Sequence, residues 1–288
     1  MQLVRWLPKF LHRHKILDFI CKFGLQECVI PVEYNSTART VIDLRDPEPR
    51  NVFIKKQFEP DFFDLTNSFI GEKGTFFDLG ANVGFCSFGL VPTQQSSEFH
   101  LFEANPNLIP LIKESIALHP KQSFHLNHCC VSDSQGKTKF QPQANQSGQS
   151  HVCSDQREGI EVPNLVLDDY CDKHHINDVD FAKIDIEGHE LPALQGWGKN
   201  LSDHRVKAIY IEIIPENQER YGRQTNAPLT YLESLGYSLF LCKDSDFGLF
   251  GEHPRKNRCK KDAPLLAKFH ACEYPEAFST DILALASS

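Results

Sequence analysis

The chain has 288 residues, 41% of them hydrophobic, and a formal net charge of −8. These values are typical of a globular protein with one elaborated domain or two small ones, and they exclude a disordered chain or a collagen. The acidic balance argues against nucleic-acid binding. No run approaches the roughly 18 apolar residues that a transmembrane helix needs.

The first 24 residues are unusually basic, with five lysines and arginines against Asp18. Charged residues and histidines interrupt the apolar runs, and no small-residue cleavage site follows, so the segment does not read as a signal peptide. We therefore expect a cytoplasmic protein. The pattern favours an amphipathic helix that covers the domain, with weak contact between residues 1–24 and a membrane surface as the alternative.

Short apolar runs predict the strands of a sheet. They occur at residues 75–79, 98–103, 123–131, 180–186, 206–214 and 237–242. Helical patterns lie between several of them, at about 83–91, 107–118, 189–196 and 226–235. This alternation predicts an α/β fold with a doubly wound, mostly parallel sheet and helices on both faces. We expect residues 1–70 to form an N-terminal extension that covers the site, and residues 71–288 to form the main domain.

A polar stretch at residues 141–150 interrupts this alternation. It contains proline and glycine and has no periodicity, which predicts a surface loop. The loop either covers the functional site or is a passive insertion.

The loop after the first predicted core strand reads Asp78-Leu-Gly80-Ala-Asn82-Val-Gly84. In a doubly wound sheet, ligands bind at the carboxyl ends of the strands, where glycines let the backbone approach them. The dinucleotide fingerprint needs glycine at positions 80, 82 and 85, but Asn82 and Phe85 stand at two of these. No Gly-Lys-Ser/Thr follows, so a phosphate-binding P-loop is excluded as well. Glu103 ends the next strand, where a carboxylate can bind both hydroxyls of a ribose.

A second acidic group follows the strand at 180–186. Strand alternation places Asp185 and Glu187 on the same side of the sheet. Glu190 falls in the first turn of the next helix, where the helix dipole favours an acid. These carboxylates are either capping and surface charges or parts of a catalytic site.

The segment Lys183-Ile-Asp185-Ile-Glu187-Gly-His189-Glu190 resembles the K-I-D-x-E-G-x-E motif of the FkbM family of methyltransferases. The loop at 78–84 and Glu103 resemble the nucleotide-binding motifs of class I S-adenosylmethionine-dependent methyltransferases. Further segments similar to FkbM elements are Phe58-Glu59-Pro60, Phe102-Glu103-Ala104-Asn105-Pro106, Leu167-Asp168-Asp169-Tyr170 and Ile211-Glu212-Ile213. Together they span residues 50 to about 215.

The resemblance implies that S-adenosylmethionine is the cofactor and that the enzyme is a methyltransferase with a Rossmann-like fold. The residues that it implies for the methionine part are Asp78, Gly80, Ala81, Asn82 and Gly84. It places Glu103, with Ala104 and Asn105, at the ribose, and Asp133 at the exocyclic amine of the adenine.

The resemblance also implies a small-molecule or glycan acceptor, with O-methylation of a hydroxyl on a sugar or natural product as the leading interpretation and N-methylation as the alternative. Asp185 is the first candidate for the general base, and Glu187 and His189 are alternatives. Glu190 belongs to the same acidic group, and Glu212 and Glu59 are candidates to orient the acceptor. Asp185, Glu187 and Glu212 alternatively suit Mg²⁺ or Mn²⁺ as oxygen ligands.

Two other classes of protein remain open at this point. One is a nucleotide-binding module that has lost catalysis, and the other is a nicotinamide-dependent oxidoreductase. Zinc ribbons lack support, because none of the ten cysteines forms a CxxC pair. The pairs His174-His175 and His12/His14 lack metal-ligand spacing to a third residue, so we expect them at the surface.

Overall fold

The computed structural model describes residues 13–24, 27–143, 146–154, 159–242 and 266–287. Within these ranges, helices and strands alternate along most of the chain. None of the described helices combines the length and the apolar character that crossing a bilayer requires.

The α-helices are short. They are α1 (Arg13–Lys22), α2 (Pro47–Lys55), α3 (Pro60–Asn67), α4 (Phe85–Leu90), α5 (Ile109–Ala117), α6 (Leu167–His174), α7 (Glu190–Gln195), α8 (Gly198–Ser202), α9 (Pro215–Glu219) and α10 (Ala227–Ser234). In the described part of the chain, 3₁₀ turns cover Ser147–Gln149 and Ala271–Glu273.

The strands form three sheets. In chain order they are β1 (Val29–Tyr34), β2 (Ala38–Asp43), β3 (Thr75–Leu79), β4 (Glu98–Glu103), β5 (Ser123–His128), β6 (Cys130–Val131), β7 (Lys137–Gln141), β8 (His151–Val152), β9 (Ile160–Leu165), β10 (Phe181–Ile184), β11 (Ala208–Ile213), β12 (Tyr237–Cys242), β13 (Leu266–Phe269) and β14 (Thr280–Ala286).

The central sheet has eight strands in the order β13-β12-β14-β11-β10-β3-β4-β5. Neighbouring strands from β5 to β11 pair in parallel. Beyond β11 the pairing is antiparallel through β14, β12 and β13. The predicted α/β class with a mostly parallel central sheet is confirmed. The carboxyl ends of the parallel strands meet at one edge, and the acidic segments at 78, 103 and 185 therefore converge there.

The predicted single strand over residues 123–131 is wrong. The strand is interrupted at Cys129, which separates β5 from β6. Its pairing with β4 ends at Glu103 and His128, because β4 itself ends there. The strand β6 then pairs with β9 instead. A small sheet in the order β6-β9-β7-β8 thus branches from the edge of the central sheet beside Glu103.

The N-terminal extension covers one face of the central sheet. Its fully buried Tyr34, Phe53 and Phe62 belong to the same hydrophobic cluster as the strand residues. Phe62 makes edge-on ring contacts with Phe181, at a centroid distance of 6.1 Å, and with Tyr210, at 5.3 Å. Residues 13–70 therefore share one core with the sheet.

Helices α6, α7, α8 and α10 cover the opposite face. Trp197 is completely buried there, and its ring stacks on that of Phe77 with a centroid distance of 5.3 Å and an interplanar angle of 5°. The two hydrophobic clusters lie on opposite faces of the same strands. The sheet is therefore covered by helices on both faces, as predicted.

The predicted N-terminal helix is present as α1. Leu17 is fully buried, whereas the rings of Phe19 and Phe23 are more than half exposed. Residues 1–12 lie outside the described residues, so contact between the basic N-terminus and a membrane surface stays a prediction.

Phe62→Ala should destabilise the protein by about 3–5 kcal/mol, because it removes a buried ring from the contact between the extension and the sheet. Chemical denaturation followed by circular dichroism measures this change. The matched control is Phe19→Ala. Phe19 is 56% exposed, so its replacement should change the free energy of unfolding little. Equal free energies of unfolding for the two variants would contradict the shared core.

Candidate active site

A cavity of about 390 Å³ opens at the carboxyl edge of the parallel strands. This volume lies in the range of small-molecule sites. Residues from the extension, the loops after β3, β4, β10 and β11, and the segment 146–150 line it. The sequence-predicted residues that line it are Asp78, Gly80, Ala81, Asn82, Glu103, Ala104, Asp185, Glu187, His189, Glu212 and Glu59.

The loop after β3 depends on Gly80. Its φ is +80°, a conformation that residues with a side chain rarely adopt. A Cβ at this position would lie 1.8 Å from the carbonyl oxygen of Asp185. Glycine is therefore required for the loop after β3 to approach the loop after β10.

Glu103 is held by backbone donors from two loops. Its Oε2 accepts a hydrogen bond from the amide of Asn82 at 2.7 Å, and its Oε1 accepts one from the amide of Asn105 at 2.7 Å. Burial raises the pKa of Glu103 to about 7, although the backbone donors act in the opposite direction. The carboxyl group is thus fixed at the cavity wall, and each oxygen has a further lone pair for a ligand hydroxyl.

Asp78 lies at the end of β3 and is almost completely buried. Its Oδ2 accepts a hydrogen bond from the hydroxyl of Ser87 at 2.6 Å. Burial raises its pKa, while Lys183 and Ser87 act in the opposite direction. Asp78 therefore contributes a shielded carboxyl group to the floor of the cavity.

The acidic end of the cavity is organised by Lys183, which lies on β10 and is almost completely buried. Its Nζ donates to Oδ2 of Asp185 at 2.7 Å. Burial is the largest single influence and disfavours both charges. The attraction between the two groups, together with the other acidic groups near Lys183 and the hydrogen bond from Glu212 to Asp185, outweighs it, so the pKa of Lys183 is raised and that of Asp185 is lowered. This end of the cavity thus contains an ion pair between a buried ammonium group and a partly buried carboxylate.

Two further carboxyl groups respond to the charge on Asp185. Glu212 shares a hydrogen bond with Asp185, and the negative charge of Asp185, together with burial, raises the pKa of Glu212 to about 10. Burial, followed by the charge of Asp185, raises the pKa of Glu187 to about 7. At neutral pH, Asp185 is therefore ionised, Glu212 is protonated, and Glu187 is poised between the two forms.

The backbone at Glu187 is unusual, with a φ of +57° in a residue that has a side chain. Arg220 Nη1 donates to the carbonyl of Glu187 at 3.1 Å, and Arg223 Nη1 donates to the carbonyl of Gly188 at 3.0 Å. The side chain of Glu187 accepts from Asn217 Nδ2 at 2.6 Å. Both the backbone and the carboxylate are therefore fixed by residues of α9 and the turn after it.

Glu190 lies behind this loop, outside the cavity lining. It is buried, and its Oε1 accepts from the amide of Gly188 at 2.9 Å. Its Oε2 accepts from Gln218. Glu190, which the sequence predicts as part of the catalytic acidic group, therefore stabilises the backbone of this loop and does not line the cavity.

His189 lines the cavity, and its Nε2 lies 3.3 Å from the hydroxyl of Ser132. Burial, followed by the positive charge of Arg223, lowers its pKa to about 4. The imidazole is therefore neutral at physiological pH.

Glu59 extends from the N-terminus of α3 into the cavity, where partial desolvation raises its pKa to about 7.

Three residues predicted for the cofactor do not line the cavity. Asp133 is exposed, and its Oδ1 accepts from Ser134 Oγ at 3.0 Å. Gly84 begins α4, where a Cβ would lie 2.3 Å from the ring of Phe88. Asn105 supports Glu103 from behind. The structure does not bring Asp133 to the site, and we do not retain it as a partner of the adenine.

The polar segment 141–150 is part of the site. Residues 144–145 lie outside the described residues, but the 3₁₀ turn from Ser147 is described. The amide of Ser147 donates to Asp46 at 2.8 Å, and its hydroxyl donates to Asn82 at 3.0 Å. Asn105 Nδ2 donates to Ser150 Oγ at 3.2 Å. The segment therefore links the extension to the loops after β3 and β4, and the alternative of a passive insertion is wrong.

Several residues of the site were missed by sequence reasoning. Lys183 was identified only as part of a motif, although alternation along β10 places it on the same side as Asp185. Asp46, Ser147, Asn217 and Arg220 had no local signal, because their contacts join segments that are distant in sequence. Asp281 faces Glu212 in the antiparallel pair of β14 and β11, and burial raises its pKa to about 6.

Comparison with known proteins adds independent information. The sequence model of a protein family, the methyltransferase FkbM domain, matches residues 78–239 of this chain, which is more than half of its length. No curated protein sequence matches significantly.

Solved structures with a related arrangement have low sequence identity. A precorrin-6Y C5,15-methyltransferase from Geobacter metallireducens is 15% identical over 77% of this chain and 86% of its own, with a TM-score of 0.39. TYW2 from M. jannaschii, in complex with AdoMet, is 10% identical over 90% of this chain and 86% of its own, with a TM-score of 0.39. TYW2 from P. horikoshii, in complex with MeSAdo, is 12% identical over 91% of this chain and 73% of its own, with a TM-score of 0.40.

Gly80→Ala should destabilise the protein by at least about 1–2 kcal/mol, because a side chain in the left-handed region is strained and this one meets a backbone oxygen. Denaturant unfolding measures the loss. Gly71→Ala is the matched control, since a Cβ there meets nothing within 4 Å. If both variants unfold with the same free energy, the close approach of the two loops is not required.

Proposed function

Because this chain belongs to the FkbM family of methyltransferases, we propose that it methylates a hydroxyl group of a sugar, glycan or natural product with S-adenosylmethionine as the methyl donor. The observation that carries the proposal is the acidic end of the cavity. There, the carboxyl groups of Glu59, Asp185, Glu187 and Glu212 share the lining with a single ammonium group, that of Lys183, among the described lining residues.

The cavity wall at Glu103 fits the adenosyl part of the cofactor. The carboxyl group of Glu103 is fixed by two backbone donors, and its remaining lone pairs suit the two hydroxyls of a ribose. Apolar and thiol side chains continue the wall beyond it, from Phe102, Cys130, Val131 and Phe140. These surfaces suit an adenine ring, and the loop at Gly80 leads from them to the acidic end.

The negative charge of the cavity also suits the donor. When bound, S-adenosylmethionine supplies an electrophilic methyl group on a sulfonium cation. The ionised Asp185 and the other carboxyl groups favour a cation over a neutral sulfide at the acidic end of the cavity. Residues of the chain thereby contribute to binding the cationic donor more tightly than the product, whose sulfur is neutral.

We place Glu187 as the general base. The base must accept the proton that the acceptor hydroxyl loses, and a group with a pKa near the working pH is best suited to this. The pKa of Glu187 is raised to about 7, whereas Asp185 is kept ionised by Lys183 and is the weaker base. Asp185, the first candidate from the sequence, then acts by setting the charge of its neighbours. The proton of Glu212 is shared with Asp185, so Glu212 can offer the acceptor an accepting oxygen but no second donor.

The same electrostatics favour a hydroxyl acceptor over an amine. Carboxylates stabilise the protonated form of an amine and raise its pKa. A protonated amine has no lone pair with which to attack a methyl group. A hydroxyl remains neutral in this environment and can donate its hydrogen bond to Glu187.

A divalent cation is the second candidate ligand of the acidic end. Oxygen atoms of Asp185, Glu187 and Glu212 lie within 4.8 Å of one another, which suits Mg²⁺ or Mn²⁺. The ammonium of Lys183 already neutralises Asp185 at 2.7 Å, however. The donor set therefore supports the proton-transfer role more directly than metal binding.

Glu103→Ala should weaken S-adenosylmethionine binding about 10–100-fold, because it removes charge-assisted hydrogen bonds to the ribose. Isothermal titration calorimetry gives the dissociation constant. Glu98→Ala, at the opposite end of the same strand, is the control and should bind normally. An unchanged dissociation constant in Glu103→Ala would remove this residue from the site.

Glu187→Gln should lower kcat by about 10²–10⁴-fold, because the amide cannot accept the proton. Cofactor binding should weaken far less, because only one of several carboxyl groups near the sulfonium is replaced. In the unaltered enzyme, kcat/KM should fall as the pH decreases through about 7, since the base must be ionised. A methyl-transfer assay over pH, with a panel of sugar acceptors, tests both. A variant that keeps this pH dependence, while Asp185→Asn abolishes activity, would return the role of base to Asp185.

A further inference from the structure

Three potential metal ligands meet at the amino edge of the central sheet, away from the cavity. His100 on β4 and His125 on β5 are directly paired in the parallel register, so their side chains emerge side by side. Their rings stack with a centroid distance of 4.4 Å and an interplanar angle of 9°. Glu98 precedes His100 by two residues and lies on the same face of the strand. His100 is three residues, or about 10 Å, from Glu103 along β4.

The ring of His100 has an unused nitrogen. His100 is 2% exposed, and its Nε2 has no hydrogen-bond partner among the described residues. The closest carboxylate oxygen, Oε2 of Glu98, is 3.7 Å away, which is too far for a hydrogen bond. Leaving a buried polar atom unpaired is costly, so a ligand for this atom would stabilise the fold.

The surroundings of His100 favour a metal ligand over a charged histidine. The ring is almost completely buried, and burial disfavours its charged form. Its Nδ1 lies 2.8 Å from the hydroxyl of Tyr170. When the proton is on Nδ1, the tyrosine oxygen accepts it in a hydrogen bond and Nε2 presents a lone pair. Such an outer hydrogen bond orients histidine ligands in metal sites.

We propose that Glu98, His100 and His125 form a zinc site that fastens the edge strand β5 to β4. Two imidazoles and a carboxylate, with a water molecule in the fourth position, are a donor set that zinc accepts. One ligand atom from each residue lies within 4.8 Å of the other two.

Binding requires these atoms to contract around the ion, since Zn–N distances are about 2.0–2.1 Å. Because the lone pairs of an imidazole lie in its ring plane, the ring of His125 must also turn out of its parallel stack with His100 to reach the same ion. The two residues that must move, Glu98 and His125, are both exposed. The side chain of Glu98 is 57% exposed. His125 is exposed as well, and its hydrogen bond with Ser123 Oγ is long, at 3.3 Å. His100 provides the fixed ligand.

Donor chemistry separates this site from the acidic cavity. The carboxyl groups of Asp185, Glu187 and Glu212 offer only oxygen, which suits Mg²⁺ or Mn²⁺, whereas imidazole nitrogen selects zinc and its neighbours in the transition series. Zinc should therefore bind at the amino edge of the sheet and increase the stability of the fold.

The full-length protein, freed of metal with a chelator, should bind Zn²⁺ with one-site stoichiometry in a calorimetric titration. His125→Ala and Glu98→Gln should each weaken this binding at least about tenfold, since even outer-shell changes cost 10–100-fold. Both residues are exposed, so the variants should fold. His14→Ala, which removes an exposed histidine elsewhere, should bind like the unaltered protein. Unchanged affinity in His125→Ala and Glu98→Gln, or no saturable binding, would overturn the proposal.

Co²⁺ as a spectroscopic probe locates the metal independently. A four-coordinate site with nitrogen ligands gives intense visible absorption, whereas a six-coordinate oxygen site gives weak bands. We expect intense bands that disappear in His125→Ala. Weak bands that persist in this variant would place the metal in the acidic cavity and contradict the proposal.

Discussion

The ion pair between Lys183 and Asp185 influences the charge state of the other carboxyl groups at the acidic end of the cavity. The ammonium group keeps Asp185 ionised in a place where burial alone would protonate it. The charge on Asp185 then holds a proton on Glu212 and, together with burial, brings the pKa of Glu187 to about 7. A row of similar carboxyl groups thereby acquires different protonation states, which is what acid–base chemistry at neutral pH requires.

The backbone brings these groups together at some cost in strain. Gly80 allows the loop after β3 to touch the carbonyl of Asp185, and no other residue type fits there. Glu187 adopts a left-handed conformation that costs about 1–2 kcal/mol in a residue with a side chain. Arg220 and Glu190 both hold this loop through hydrogen bonds to its backbone. Strain of this kind persists where surrounding contacts overdetermine the conformation, as at functional sites.

Sequence patterns predicted the features that depend on residues close to one another along the chain. Alternating apolar runs and helical segments gave the central sheet, and the strand at 237–242 has the predicted bounds. The glycine loop and the acidic group were identified because their spacing is constrained by a strand end and a following turn. Glu103 could be placed because a carboxylate at the end of the second strand has a defined position in this fold.

Features that depend on distant partners were not predictable in the same way. The break at Cys129 follows from the length of β4, and the role of the segment 141–150 follows from bonds to Asp46 and Asn82. Asp133 has a plausible sequence context but its side chain faces solvent. The meeting of His100 and His125 depends on the register between two strands, which no spacing along the chain reveals.

We propose that the carboxyl groups of the cavity bind the cationic donor and that this binding changes their protonation. Calorimetric titration of S-adenosylmethionine into the full-length protein at pH 7, in two buffers with different ionisation enthalpies, measures the number of protons exchanged. We expect binding at one site with net release of protons, because the sulfonium lowers the pKa of Glu187 and the ribose lowers that of Glu103. S-adenosylhomocysteine, whose sulfur is neutral, should release fewer protons. Absence of binding, or binding with no proton exchange for either ligand, would show that these carboxyl groups do not hold the donor.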